Sequence, residues 1–297
     1  MIFPGQGTQR PGMGAPWRDH PAWRIVTDAE ALTGEPLAHL LCDADEATLS
    51  RTREAQLAIL LTSLVAWEAL RSDLSEPVAF AGHSLGQVTA LIAAGVLDLR
   101  TGVEFAAVRA TATQRAADRH PGRMVALIGA ELMQADAACA STDECWIAND
   151  NAPGQVVVAG TPAGVDAASA AARNAGVRRV MPLNVGGAFH TPLMDEAVDE
   201  LREHLADREF TSSSVPVVAN DDAAAIRDGA SWRERSAPHV ARRVRWREVQ
   251  GALVELGVDR FVEVGAGTML SALARRTVPG VPVASIACPD DLPTVLA

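Results

Sequence analysis

The chain has 297 residues, enough for one large domain or two small ones with a sizeable core. Its net charge of −11 argues against non-specific binding of nucleic acid. We find no apolar run of membrane-spanning length and no signal peptide, so no membrane association is expected. The four cysteines are scattered without a C-x-x-C pair, which predicts neither a disulfide framework nor a zinc site and favours a cytoplasmic protein.

Strand-like and helix-like segments alternate along the chain. The predicted strands are 78–81, 124–128, 155–159, 179–183, 216–219, 260–264 and 282–286. The predicted helices are 56–71, 87–94, 101–117, 162–174, 192–206 and 267–276. This alternation predicts an α/β domain with a mostly parallel sheet.

Two segments rich in helix- and strand-breaking residues, 118–123 and 184–190, interrupt the alternation. They enclose a block of about sixty residues with its own pattern of strands and helices. An inserted subdomain is the interpretation we favour for this block.

The stretch "VAFAGHSLGQVTALIAAGV" (78–96) joins a short apolar strand to an Ala/Leu-rich helix. At the joint, "GHSLG" fits the G-x-S-x-G pattern of a nucleophile elbow, in which a serine occupies a strained tight turn between glycines. Ser84 is therefore the candidate nucleophile, and the helix N-terminus below it suits a developing oxyanion. The alternative is a glycine-rich connection in which the serine has no chemical role.

A serine nucleophile needs a base, and His190 is the best placed of the seven histidines. It ends the glycine-rich "GGAFH" and precedes a helix that begins near Pro192. From its position alone, a structural role is the interpretation we favour for His190. His83 should point away from its neighbour Ser84, and the others are expected to be exposed: His20, His39, His120, His204 and His239.

Two further segments have more than one interpretation. The initial "FPGQGTQRPGMG" is a glycine-rich loop after a tiny strand, but it fits neither the phosphate-loop nor the dinucleotide pattern. A backbone-lined oxyanion or substrate loop remains open there. Four arginines within residues 242–247 indicate either an exposed helix end or a dock for an acidic partner or a phosphate.

Five segments occur in order: "FPGQGTQ", "GHSLG", "NDNAPGQVVVAG", "GAFHTPLM" and "FVEVGAGTML". With them the chain resembles the malonyl-CoA:acyl-carrier-protein transacylases over nearly its whole length. The resemblance implies a hydrolase-like α/β large subdomain, residues 1–123 and 188–297. It also implies an inserted ferredoxin-like small subdomain, residues 124–187.

The resemblance also implies roles for individual residues. Ser84 would be the acylated nucleophile and His190 its base, with a backbone carbonyl of Arg245 holding the histidine. Gln6 and Leu85 would supply the backbone N–H groups of an oxyanion hole. Arg109 would pair with the free carboxylate of a malonyl group, a task suited to a planar guanidinium. Phe189 would narrow the pocket, and further residues would line the cleft: Gln56, Asn149 and Asn151.

The sequence departs from the family pattern at three places. Gln87 stands where the family often has Glu, and "RRVRW" replaces a common Asn-Pro-containing version. Only Met1 and Ile2 precede "FPGQG", so the first strand is expected to be nearly absent, and a truncated start is one interpretation.

The resemblance implies ping-pong transfer of malonyl from malonyl-CoA to an acyl carrier protein, through an ester on Ser84. No cofactor and no metal are expected on the chain itself, and a monomer is expected. One alternative is a serine thioesterase or hydrolase, which would need no carboxylate-binding Arg109. The other is a catalytically idle protein that binds acylated carrier proteins, against which the combination of Ser84, His190 and Arg109 speaks.

Overall fold

A computed structural model describes residues 1–296 as two sheets with helices packed around them. The larger sheet contains six strands: β1 (Ile2–Phe3), β2 (Phe80–Gly82), β7 (Val217–Val218), β8 (Ala225–Ile226), β9 (Phe261–Val264) and β10 (Val283–Ile286). Its strand order is β10-β9-β1-β2-β7-β8, and only the β7–β8 pair is antiparallel. The carboxyl ends of the parallel strands therefore meet at one edge, where α/β proteins place their sites.

The second sheet is antiparallel and forms from the chain between β2 and β7. Its strands are β3 (Arg123–Ile128), β4 (Cys145–Ala152), β5 (Gln155–Gly160) and β6 (Arg179–Pro182), in the order β4-β5-β3-β6. Helices α7 (Leu132–Cys139) and α8 (Pro162–Asn174) cover one face of it. The βαββαβ succession with this strand order is the ferredoxin-like arrangement that the sequence led us to expect.

The other helices lie around the larger sheet. They are α1 (Arg24–Thr33), α2 (Leu37–Cys42), α3 (Glu46–Leu49), α4 (Thr52–Leu70), α5 (Leu85–Ala93), α6 (Leu99–Arg119), α9 (Asp195–Leu205), α10 (Gly229–Ser236), α11 (Trp246–Glu255), α12 (Met269–Thr277) and α13 (Leu292–Leu296). Helix α4 is buried on nearly all sides because it packs against α1, α2, α5 and α6. The main core lies between these helices and one face of the sheet, while α11 and α12 cover the other face.

The α/β class with a mostly parallel larger sheet and a separate antiparallel sheet is confirmed. Every predicted strand and helix overlaps an element of the structure. The short first strand, which we expected to be nearly absent, is two residues long but lies in the middle of the larger sheet, between β9 and β2. Elements that the sequence did not suggest include β4, β8, α1, α7 and α11.

Candidate active site

Ser84 lies at the tight turn between β2 and α5, at the carboxyl edge of the larger sheet. Its backbone has φ 53° and ψ −111°, a conformation that costs a non-glycine residue about 1–3 kcal/mol. The flanking glycines are required by close packing. A Cβ on Gly82 would collide with the carbonyl of Gly86, and a Cβ on Gly86 would collide with the carbonyl of Phe3. The elbow geometry expected from "GHSLG" is present.

The structure brings His190 to Ser84 although 106 positions separate them in the chain. The Nε2 atom of His190 lies 2.7 Å from Ser84 Oγ. His190 Nδ1 lies 2.9 Å from the carbonyl oxygen of Arg242 and 3.1 Å from that of His239. Because carbonyl oxygens only accept hydrogen bonds, Nδ1 carries the proton and Nε2 is left as the acceptor. The serine hydroxyl therefore donates to a nitrogen that can take its proton.

The imidazole of His190 is neutral near pH 7. Burial lowers the pKa of His190 to about 3, and the nearby charge of Arg109 acts in the same direction. The backbone carbonyls of Arg242 and His239 partly oppose this shift. A neutral imidazole is the form required of a general base.

Arg109 projects from α6 into the same site and is only 5% exposed. One of its Nη atoms donates to Gln56 Oε1 at 2.6 Å, and the other donates to Ser84 Oγ at 3.1 Å. Burial lowers the pKa of the guanidinium to about 10, so it keeps its charge near neutral pH. Among residues 1–296, no carboxylate lies within ion-pair distance of Arg109, and its Nε has no hydrogen-bond partner. A buried cation without a counterion beside a nucleophile favours an anionic ligand.

The two expected oxyanion donors come from segments that pack against each other. Leu85 is the first residue of α5, so its N–H has no acceptor within the helix. Gln6 lies on the loop after β1, and that loop is pressed against the elbow at Gly5 and at Gly86. The role of both N–H groups remains a prediction.

The residues expected to line the cleft lie on β4 and before His190. Asn151 Oδ1 accepts a hydrogen bond from His83 Nε2 at 2.9 Å, and His83 therefore points away from Ser84, as expected. Asn149 is buried and forms an isolated bridge to Val244. Phe189 is half-buried and packs against both the main core and the open face of the antiparallel sheet. Their contact with a substrate stays a prediction.

The expectation that Arg245 orients the base is wrong. The carbonyls that accept from His190 belong to Arg242 and His239. The carbonyl of Arg245 instead accepts from the N–H of Val249 at 3.0 Å, because Arg245 is the residue from which α11 begins. The turn at 238–241 therefore presents carbonyls to the histidine three to six residues earlier than the family resemblance suggested.

His239 was also misplaced by sequence reasoning. It is 4% exposed rather than solvated, and its ring lies 5.3 Å from the ring of His190. Burial lowers the pKa of His239 well below its usual range. Sequence reasoning likewise missed Asn220, a fully buried residue whose side chain accepts from the Ser84 N–H at 2.8 Å. No motif marked either residue, because their roles depend on how distant segments pack.

The arginines of 242–247 are largely paired. Arg242 bonds Asp221 at 2.8 Å, and Arg247 bonds Asp150 through two nitrogens, at 3.0 and 2.6 Å. Asp150 is 1% exposed and also lies 3.5 Å from Arg243. These ion pairs therefore fasten the turn whose carbonyls hold His190 to β4. The four arginines do not form an entirely free basic surface.

Residues 1–296 contain no group of three or more His, Cys, Asp or Glu side chains placed to hold a metal ion. Within the same residues, no helix has both the length and the apolar character needed to cross a membrane.

Comparisons with known proteins give matches over nearly the whole chain. A family model described as "Acyl transferase domain" matches residues 1–289. A malonyl CoA-acyl carrier protein transacylase of Synechocystis is 35% identical, over 98% of this chain and 97% of that protein. An acyl carrier protein S-malonyltransferase from Vibrio cholerae superposes with a TM-score of 0.95 at 32% identity, covering 99% of this chain and 98% of that one.

A third relative was solved as a complex. It is a malonyl-transacylase bound to the acyl-carrier protein of a type II polyketide synthase, with a TM-score of 0.95 at 32% identity. The match covers all of this chain and 98% of that one. The full-length agreement in sequence and fold shows that this chain belongs to the acyl transferase domain family and, within it, to the malonyl-CoA:acyl-carrier-protein transacylases.

Proposed function

We propose that this chain is an acyl carrier protein S-malonyltransferase. It moves a malonyl group from malonyl-CoA to the phosphopantetheine thiol of an acyl carrier protein, through a malonyl ester on Ser84. The observation that carries the proposal is Arg109: a buried guanidinium without a counterion, 3.1 Å from the hydroxyl that would receive the acyl group. The relatives named above as malonyl transacylases support the same activity.

In the first half-reaction, Ser84 Oγ attacks the thioester carbonyl while its proton passes to His190 Nε2. The 2.7 Å contact between these atoms places the base within reach, and the carbonyls on Nδ1 stabilise the imidazolium that forms. The oxyanion is stabilised by the N–H groups of Leu85 and Gln6. The C–S bond then breaks, and CoA leaves as a thiol after taking the proton from Nε2.

The second half-reaction reverses these steps with a different thiol. His190 takes the proton of the phosphopantetheine thiol, the sulfur attacks the ester carbonyl, and the proton returns to Ser84 Oγ. The enzyme ends unchanged, as ping-pong chemistry requires.

Arg109 and Gln56 select the acyl group. The malonyl carboxylate enters the cleft charged, and a fixed guanidinium offers it two parallel N–H donors. The Gln56 amide holds that guanidinium in place through the 2.6 Å bond to its Nη. Phe189 narrows the pocket near the acyl chain, while Asn149 and Asn151 line the approach.

Other properties of the chain are proposals of the same kind. We propose that the enzyme acts as a monomer in the cytoplasm without a bound cofactor. The small subdomain spans about residues 124–187, which holds nearly all of the antiparallel sheet with α7 and α8.

The test follows both products after mixing the protein with malonyl-CoA. With a holo carrier protein present, malonyl should accumulate on the carrier faster than free malonate appears. With the carrier absent, release of CoA should stop after one equivalent. Continuous release of malonate without a carrier protein would instead indicate a hydrolase and overturn the proposal.

A further inference from the structure

Asn220 lies two residues beyond β7 and joins the elbow to the segment that holds the base. It is 0% exposed. Its side-chain Oδ1 accepts from the Ser84 N–H at 2.8 Å and from His239 Nε2 at 3.2 Å. Its Nδ2 donates to the carbonyl of Gly82 at 2.8 Å. All four heteroatoms of the residue are used, since its backbone N–H and carbonyl are also hydrogen-bonded.

These contacts close a ring of hydrogen bonds. This cycle of hydrogen bonds runs from the Ser84 N–H to the Asn220 side chain and then to the imidazole of His239. The backbone carbonyl of His239 accepts from His190 Nδ1, and His190 Nε2 returns to Ser84 Oγ. Nucleophile and base are therefore connected twice, once directly and once through two buried side chains.

The backbone of the elbow is strained at Ser84, so contacts from neighbouring residues must stabilise that conformation. Ser84 has φ 53°, and its N–H and the preceding Gly82 carbonyl are both fixed by the one amide of Asn220. The amide can adopt only one orientation, because the Gly82 carbonyl requires a donor and the Ser84 N–H requires an acceptor. An amide meets both needs at once, whereas a carboxylate would face the Gly82 carbonyl with another acceptor.

Gln87 belongs to the same arrangement. Its Oε1 accepts from the backbone N–H of Asn220 at 2.9 Å, which ties the strand end to the first turn of α5. At this position the sequence departs from the family's usual Glu, and an amide oxygen serves as acceptor as a carboxylate would. The position of Asn220 is therefore fixed from its backbone as well as from its side chain.

We propose that Asn220, with His239, is a positioning residue that fixes the distance and angle between the Ser84 hydroxyl and the His190 imidazole. Because the Ser84 N–H is occupied by Asn220, the elbow offers Leu85 rather than Ser84 as an oxyanion donor. This inference rests on the proposed malonyl transfer, since its measure is the formation of the acyl-serine.

Acylation by malonyl-CoA in a single turnover is the assay. Asn220→Ala should lower the limiting rate by about 10²-fold, the effect of misplacing reacting groups by about 1 Å. The malonyl-CoA concentration that gives half the limiting rate should change by less than about threefold, because the fully buried Asn220 offers no surface to a substrate. An unchanged limiting rate, with only the half-saturating concentration of malonyl-CoA altered, would overturn the proposal.

The second pair of variants separates positioning from folding. His239→Ala removes the ring that donates to Asn220, and should slow acylation at least about tenfold. A glutamine Nε2 can replace the donating ring nitrogen, so His239→Gln should recover to within about threefold of the wild type. Equal rates for the Ala and Gln variants would contradict the proposal, and this pair decides the question if Asn220→Ala does not fold.

Leu127→Ala is the matched control for stability. Leu127 is fully buried in β3, on the face of the antiparallel sheet that α7 and α8 cover. The Leu127→Ala substitution should lower the melting temperature and leave the acylation rate of the folded fraction unchanged. If Asn220→Ala behaves in the same way, the residue is structural only. If the wild type itself is never acylated, the proposed function fails instead, so the two failures are distinguishable.

Discussion

Replacing Arg109 with alanine should reduce malonyl transfer far more than acetyl transfer. Arg109 is 5% exposed, and no acidic side chain among residues 1–296 pairs with it. A malonyl carboxylate would therefore enter a buried site with no cation once the guanidinium is gone. Truncating one partner of a buried charge pair costs about 2–5 kcal/mol, which corresponds to a loss of about 30- to 5,000-fold in kcat/KM. Acetyl-CoA has no such carboxylate, so its transfer should change little.

The assay is steady-state transfer to a holo carrier protein, with malonyl-CoA and acetyl-CoA measured side by side. Arg109→Lys tests the geometry, because it keeps the charge but loses the planar pair of donors, and it should fall between the wild type and Arg109→Ala. Arg115→Ala is the matched control: Arg115 lies on the same helix, but its side chain is 54% exposed and paired with Glu200. This control should keep wild-type rates for both substrates.

A parallel loss for both thioesters would refute this reasoning. It would mean that Arg109 supports the site through Gln56 and Ser84, which it contacts directly, rather than by binding the malonyl carboxylate.

Four further outcomes are expected. His190→Ala should slow acylation of the enzyme by at least about 10²-fold in rapid-quench mass spectrometry, and a wild-type rate would place the base elsewhere. Because burial and the charge of Arg109 lower the pKa of His190 to about 3, the acylation rate should show no inflection from this group between about pH 5 and 8, whereas one near the ordinary value of about 6.5 would contradict the assignment. Burial lowers the pKa of His83, His190 and His239 in the folded state, so the unfolded chain takes up protons first as pH falls. The free energy of unfolding, measured by urea titration, should therefore be highest above about pH 6.5. At lower pH it should decrease by up to about 1.4 kcal/mol per pH unit for each histidine, and equal stability at about pH 7 and 5.5 would contradict this. Asp150→Ala should cost about 1.5–3 kcal/mol in the same titrations, because it removes the carboxylate that accepts charge-assisted hydrogen bonds from Arg247, and a loss under about 0.5 kcal/mol would show that the pair contributes little.

The sequence predicts the elements whose apolar pattern is continuous and bounded by breakers. Helix α8 was predicted with its observed bounds, because Pro162 suits its first turn and its buried face repeats regularly. Strand β4 was missed because the three consecutive polar residues of "CWIANDNA" interrupt the alternation of a strand, which also carries two register shifts. It is buried nonetheless, since Asp150 is neutralised by arginines from a segment almost a hundred residues away. Such compensation is tertiary and leaves no local pattern.

The residues of the candidate site likewise fall into those that the local sequence predicts and those that depend on distant segments. Ser84 follows from its glycines, because their small size is what the close packing at the elbow requires. His190 and Arg109 could be assigned only through the family resemblance, since their partners lie far away in the chain. The wrong assignment of Arg245 has a local cause. The turn ends at Ala241, and for this reason the Arg242 carbonyl meets His190, but nothing in the residues of "RRVRW" reveals where the turn ends.

The central claim is that malonyl passes through an ester on Ser84, and peptide mapping after mixing with malonyl-CoA tests it most directly. The protein is incubated without a carrier protein, digested at acidic pH to preserve the ester, and analysed by tandem mass spectrometry. We predict one malonyl group per chain, located on Ser84, lost on addition of a holo carrier protein and absent from Ser84→Ala. Malonyl found on another residue, or equal labelling of Ser84→Ala, would contradict the account.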